Sequence, residues 1–176
     1  MSIAVNLSAR QFFDEHLLTN IYSILISTGM EAGLLELEIH ESLLTHDIER
    51  TLQILSNLKG IGVRIAIDDF GTGSSSLASL QRFPLDSIKI DRSYIRDITT
   101  RGDDIDLSEA IIAMGKSLTL TVVAQGVETR EQADFLRDHA CDELQGFYSN
   151  RSMSAYQCTE LLQEQITGAR LATSDT

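Results

Sequence analysis

The chain has 176 residues, 43% hydrophobic and 23% charged, with a formal net charge of −12. That is enough for one domain with a real core. So acidic a surface opposes long nucleic acids, whose binding depends on Lys and Arg neutralising phosphates, and leaves open a small phosphorylated ligand bridged by cations. No apolar stretch is long enough to span a bilayer, and the N-terminus lacks the basic and apolar segments of a signal peptide. Cys141 and Cys158 form neither a metal-ligand spacing nor a disulfide framework, so a cytoplasmic protein with reduced thiols is expected.

In chain order, the pattern predicts a strand over residues 2–7 and a helix over about 14–28, where Leu17, Leu18, Ile21, Ile24 and Leu25 recur at helical spacing before Gly29. A second strand is expected over 34–39, with Leu35, Leu37 and Ile39 on one face and Glu36 and Glu38 on the other. A helix over 47–58 follows, striped by Leu52, Leu55 and Leu58 and ended by Gly60. Residues 63–67 read as the third strand. Residues 75–80 read as a short helix stopped before Pro84, the only proline. Strands are expected over 87–90, 119–124 and, very short, 143–144. Helices are expected over 104–118, with Ile105, Leu107, Ile111, Ile112 and Met114 as core contacts, over 131–139, and over about 155–166. Residues 168–176 lack apolar periodicity and read as a loose tail.

Strands alternating with helices through short links mean crossover units and a parallel sheet. There are about six such units. Eight would close a (β/α)₈ barrel, which typically takes about 250 residues. The fold class is therefore α/β: an open doubly wound sheet or an incomplete TIM-type barrel. An unclosed sheet exposes edges, here the strands at Ala4 and Leu144, so self-association, borrowed strands or marginal stability are expected.

One stretch stands out, Ile65-Ala66-Ile67-Asp68-Asp69-Phe70-Gly71-Thr72-Gly73. A buried strand runs into two adjacent carboxylates and a glycine-spaced loop. A turn cap explains it, and so does a cation site. The wider pattern favours the second. Asn6, Glu38, Asp68, Lys89 and Gln125 each stand at or near the carboxyl end of a strand, between or just after apolar neighbours, and Asp91 shares a face with Lys89. A charge at a central strand position is expensive unless paired or metal-bound, and five strands repeating the feature point to a shared site. Carboxylates and an amide without thiols favour Mg²⁺ or Mn²⁺. With Asp68 and Asp69 each serving a different ion, a two-metal site suited to phosphodiester hydrolysis results, with Lys89 holding the water or a phosphate oxygen. A Mg²⁺-dependent enolase-type barrel with Lys89 as base is the competing reading; it lacks a second electrophile.

These residues resemble the EAL-domain family of bacterial cyclic-di-GMP phosphodiesterases, through VNLSARQF (5–12), LELEIHES (35–42), IDDFGTGSSSLASLQRFPLDSIKIDRSYI (67–95), VVAQGVET (122–129) and CDELQGF (141–147). The resemblance runs to about residue 165 and implies a partial EAL domain over 1–167, with 168–176 as tail. It implies a (β/α)₈ barrel that cleaves cyclic di-GMP to pGpG with Mg²⁺ or Mn²⁺. By this resemblance Asn6, Glu38 and Asp68 match metal ligands and Asp69 a ligand of the second metal. Lys89 and Asp91 lie near the water and metals. Glu128 and Gln145 are further active-site residues, Gln145 on the substrate. Glu41 resembles the glutamate that steadies the loop after Asp69. That loop, with Phe70, Gly71, Thr72 and Gly73, implies a homodimer surface.

Three departures shape the expectation. The family's N-terminal part is absent, with the glutamate of the EAL signature and about two strands; Glu31-Ala32-Gly33 is not that motif. The alternative to a homodimer is thus completion by that N-terminal segment of a parent protein, and the two-metal site is expected to be incomplete. Gln125 stands where the family has its general base, and an amide takes no proton from water. His40, Ser74 and Ser152 replace a usual threonine, aromatic residue and proline, with His40 expected as a hydrogen-bonded loop residue. His16, His46 and His139 are expected to be exposed. The chain is therefore read as an impaired or inactive phosphodiesterase domain, or else as a non-catalytic module for cyclic di-GMP or a protein partner.

Overall fold

The computed structural model describes residues 2–73, 77–96, 98 and 102–163, with the backbone alone for 77, 78 and 102–106. Six strands, β1 (Ile3–Leu7), β2 (Leu35–His40), β3 (Arg64–Phe70), β4 (Ser87–Ile90), β5 (Thr121–Gln125) and β6 (Glu143–Gln145), form one sheet in the order β1-β2-β3-β4-β5-β6. Every neighbouring pair is parallel. The connections carry α1 (Ala9–Phe12) and α2 (Leu17–Thr28), α3 (Leu43–His46) and α4 (Ile48–Ile61), α5 (Leu77–Leu80), α6 (Arg92–Arg96) and α7 (Gly102–Ser117), and α8 (Arg130–Asp138). Residues 155–163 are also helical. A doubly wound sheet reverses its strand order at a switch point, whereas a barrel adds strands in sequence. The unbroken order here is that of a barrel, and the six strands form a half-barrel.

The apolar alternation of the strands sets the layers. Leu37, Ile39, Ile65, Ile67, Ile88, Ile90, Val122 and Ala124 form one face, exposed by 2% or less, beneath Leu55, Leu58, Ile112 and Leu136 of the helices. The other face carries Glu36, Glu38, Asp68, Ser87, Lys89 and Gln125, because successive strand residues alternate. Helix ends follow local chemistry. Ser8 and Gln11 form a capping box on α1, and Thr129 and Gln132 form one on α8. Asp47 caps α4 by accepting from the Arg50 N–H.

Several boundaries differ from expectation. α4 passes through Gly60 and ends at Gly62, which adopts the left-handed conformation. β3 does not stop at Ile67 but continues through both aspartates to Phe70. In α7, Leu107 is 38% exposed and not a core contact, whereas Ile111 and Ile112 are buried. His139 is not exposed but half-buried, stacked 4.0 Å from the Phe135 ring with Nε2 2.9 Å from Glu109 Oε1. Ser74, Ser75, the Ile105 side chain, the end of the last helix and residues 168–176 lie outside the described residues.

β1 and β6 are the sheet edges. Beside β1 the helix layer thins out. Ile3, Val5, Tyr22 and Ile24 are 43–58% exposed, and a groove of about 290 Å³ runs between Val5, Leu7, Leu35 and Leu37 of the strands and Leu17, Ile21 and Ile24 of α2. Ile24 is on the apolar stripe of α2 yet has no covering element among the described residues, because the stripe extends past the last strand.

Candidate active site

The parallel register aligns the polar residues. Asn6 pairs with Glu38, Glu38 with Ala66, and His40 with Asp68, so Asn6, Glu38, His40 and Asp68 share one side of the sheet. The Asn6 amide meets Glu38 and Asp68 directly: its inward atom is 3.2 Å from Glu38 Oε2 and 3.1 Å from Asp68 Oδ2. With nitrogen inward it donates to both. With oxygen inward, its separations from the two carboxylate oxygens are near the edge of an octahedron whose ligands stand about 2.1 Å from the ion, about 3.0 Å. Among the described residues no three His, Cys, Asp or Glu side chains gather to hold an ion unaided; Glu38 and Asp68 offer two carboxylates here, and the Asn6 amide a third oxygen when its oxygen is turned inward. These residues fit a hard cation.

Lys89, 3% exposed on β4, donates from Nζ to Glu38 Oε1 and, at 3.0 Å, to Gln145 Oε1 on β6. Gln125 at the end of β5 donates from Nε2 to Asp68 Oδ1 at 2.8 Å. Asn6, Glu38, Asp68, Lys89, Gln125 and Gln145 therefore form one connected network drawn from six strands.

Asp69 joins the rim by an irregularity. On a regular strand it would point away from Asp68, but the β3–β4 register shifts between Ile67 and Phe70, and Asp69 is left-handed at φ 53°, a bulge that re-aims its side chain. Thr72 Oγ1 donates to the Asp69 carbonyl at 2.9 Å. The Asp69 carboxyl is raised above its usual range, first by desolvation and then by the Asp68 charge, with a hydrogen bond to Asp91 adding to the rise. Asp91 is lowered: desolvation opposes this, but hydrogen bonds from Ser93 Oγ and N–H outweigh it. The two carboxyls thus stand within hydrogen-bond reach of each other, an arrangement in which a cation would relieve their repulsion. His40 Nδ1 accepts the Ser42 backbone N–H at 3.2 Å, which leaves the hydrogen on Nε2, 3.8 Å from Asp69 Oδ2. His40 faces Asp69 as a donor.

Glu41 is 2% exposed, and its Oε2 accepts the backbone N–H of both Gly71 and Gly73 at 3.1 Å. The approach requires glycine, since a Cβ on Gly73 would stand 2.8 Å from the Glu41 carboxyl. Tyr94 closes the other side, donating to the Gly71 carbonyl at 2.7 Å, and Phe70 is buried below. Glu41→Ala is expected to cost about 2–4 kcal/mol, as two hydrogen bonds to a buried carboxylate disappear. Urea denaturation measures the loss, and amide exchange at Gly71 and Gly73 should accelerate in the folded state.

Glu128 stands apart from the network. It is exposed and shares with Asp91, Arg92, Ser93, Arg96, Gly126 and Gln132 a cavity of about 600 Å³. A second cavity of about 390 Å³, lined by Asp69, Asp91, Arg92, Gln125 and Gly126, adjoins it. No role for Arg92 follows from the sequence pattern, where its one mark is its place directly after Asp91 at a strand end.

A half-barrel with an acidic, amide-containing rim at its strand ends is thus the class of protein the fold and site define. The chain matches the family model described as EAL domain over residues 1–152, and it belongs to the EAL domain family. It is 42% identical over 162 residues to a Pseudomonas aeruginosa protein named cyclic di-GMP phosphodiesterase NbdA, covering 92% of this chain and 21% of that one. The solved PaMucR phosphodiesterase, a c-di-GMP complex, matches with a TM-score of 0.86 at 44% identity over 89% of this chain and 64% of that one. Klebsiella pneumoniae BlrP1, in a manganese/cy-diGMP complex, matches with a TM-score of 0.77 at 30% identity over 83% and 38%. The chain spans about a fifth of the length of the curated relatives it matches. EAL domains have the TIM-barrel fold, of which this half-barrel is a part. No helix among the described residues is long and apolar enough to cross a membrane.

Proposed function

We propose that this chain is a partial EAL domain, residues 1–167, that binds cyclic di-GMP through Mg²⁺ or Mn²⁺ and hydrolyses it to pGpG very slowly or not at all. The relatives named for that activity and the c-di-GMP complexes among the solved neighbours support the ligand. One observation carries the loss of activity: Gln125 donates an N–H to Asp68 Oδ1. At the position of the family's general base, an N–H donor fastens a metal-ligand carboxylate and offers no proton acceptor to water.

Each residue then has a distinct task. Asn6, Glu38 and Asp68 would hold one ion, and Asp69 and Asp91 the second. When bound, the ions supply charge for the diester and acidify a water. Lys89 neutralises Glu38 and presents its remaining donor toward the water or a phosphate oxygen. Gln145 fixes Lys89 and the ligand edge, Glu128 lies at the far end of the cavity, and Glu41 sets the loop that positions Asp69. A cytoplasmic location suits a soluble nucleotide ligand.

The exposed groove along β1 and α2 favours a second reading, a module for protein contact. Its occupants are the N-terminal units of an EAL barrel or another copy of the chain, with the Gly71–Gly73 loop as a further homodimer surface. Calorimetric titration with cyclic di-GMP and Mn²⁺ decides between the readings. Heat of binding without formation of pGpG is expected. Turnover at an ordinary enzymatic rate would refute the loss of activity, and no heat at high ligand concentration would leave the protein-contact reading alone.

A further inference from the structure

We propose that Arg92 is the anion anchor of this site and holds the diester phosphate that the cations do not; the proposal rests on the reading of the chain as a cyclic di-GMP domain. Arg92 opens α6 one residue after Asp91 and lines both rim cavities, the one containing Asp69 and Gln125 and the one that reaches Glu128. It is the residue through which a ligand spanning the two must pass, together with Asp91 and Gly126.

Its stem is held while its head is not. Gly126 is left-handed at φ +72°, and a Cβ there would lie 2.7 Å from Arg92 Cβ and 3.5 Å from its Cα. The turn after β5 therefore closes directly on the Arg92 stem and needs glycine to do so. Four other arginines are held in ion pairs: Arg64 with Glu36, Arg82 with Glu49, and Arg130 and Arg137 with Asp134. The Arg92 guanidinium interacts with the adjacent Asp91 through charge alone, with no hydrogen bond to it among the described residues. Its neighbour Asp91 instead uses Oδ1 to accept from Ser93 N–H and Oγ. A guanidinium on a fixed stem, with its fork of donors available over a cavity, is preorganised for a phosphate.

Charge makes the assignment specific. The rim is carboxylate-rich in a chain of net charge −12, so a ligand with two phosphates needs positive charge at both. The Asn6–Glu38–Asp68 and Asp69–Asp91 groups offer cations to one phosphate. Arg92, on the Gly126–Glu128 side of Asp91, offers the other a bidentate partner that lysine does not imitate.

The test is calorimetric titration of the parent chain, Arg92→Ala and Arg92→Lys, first with Mn²⁺ alone and then with cyclic di-GMP in saturating Mn²⁺. Arg92→Ala is expected to weaken dinucleotide binding roughly 10- to 100-fold, as for loss of a charge-assisted hydrogen-bonded pair, with Arg92→Lys in between. Mn²⁺ alone should bind Arg92→Ala as tightly as the parent or more tightly, since a positive neighbour of Asp91 is gone. Equal dinucleotide affinity in Arg92→Ala and parent would overturn the arginine assignment and leave the domain reading intact. Parallel loss of Mn²⁺ and dinucleotide would also overturn it, by making Arg92 a structural prop. A parent chain that binds Mn²⁺ but no cyclic di-GMP would overturn both.

Discussion

Lys89→Met is expected to destabilise the fold by about 3–5 kcal/mol in metal-free buffer, because it strips the counter-charge from a buried carboxylate. Lys89 and Glu38 are 3% and 5% exposed and in direct contact. Methionine keeps the stem length and packing and removes only the charge and donors. What remains is Glu38 against Asp68 with the Asn6 amide between them, a pair of acceptors with too little positive charge. A divalent cation at the same spot would replace the lost charge. Saturating Mn²⁺ should therefore restore part of the stability, by about 2.7 kcal/mol at 100 times its dissociation constant. Urea denaturation of parent and variant, each in EDTA and in Mn²⁺, reads both terms. Adding Glu38→Gln to Lys89→Met should recover stability in EDTA and abolish the Mn²⁺ effect. A loss below about 1 kcal/mol, well under the range for a broken buried pair, or no response to Mn²⁺, would show that Lys89 is not the counter-charge of Glu38 and that no cation seat lies beside it.

This rim was legible in the sequence because a buried charge on a central strand has few explanations. Asn6, Glu38, Asp68, Lys89 and Gln125 stood out against apolar neighbours, and the structure joins all five, with Gln145, in one network. Strand order was legible too, since sequential βα units have one simple parallel arrangement. The geometry of Asp69 was not. Alternation sets it opposite Asp68, and only the bulge with φ 53° brings it back; no residue type announces a left-handed aspartate. Arg92 was hidden for a different reason. Its distinguishing features are a stem pressed on Gly126 and a head at the lining of both rim cavities, and both are properties of tertiary contact. Leu107 and Ile24 show the limit of periodicity. Each lies on an apolar stripe, yet each is exposed, because a stripe reports which face is apolar and not whether an element covers it. For Ile24 the groove beside β1 supplies the reason: an EAL barrel has further elements at that edge, and the described sheet stops there.

Gln125→Glu is expected to raise hydrolysis of cyclic di-GMP by about 10²–10⁴, the usual contribution of a general base, provided the barrel is completed by the N-terminal βα units of an EAL domain. In the present chain alone the same substitution should have the opposite physical effect when metal is withheld. The amide that donates to Asp68 Oδ1 at 2.8 Å becomes a carboxylate at the same contact. A favourable hydrogen bond turns into repulsion between two negative groups in a partly buried rim. Stability in EDTA should fall, and affinity for Mn²⁺ should rise, because the ion now relieves one more charge. Activity and metal affinity thus separate two roles of position 125. If the completed barrel that retains Gln125 turns over cyclic di-GMP as fast as the same barrel carrying Gln125→Glu, proton abstraction belongs to another residue, and Lys89 or Glu128 becomes the next to replace. If Gln125→Glu leaves Mn²⁺ affinity unchanged, the amide is not acting on a carboxylate that binds metal, and the hydrogen bond to Asp68 has no bearing on ion binding.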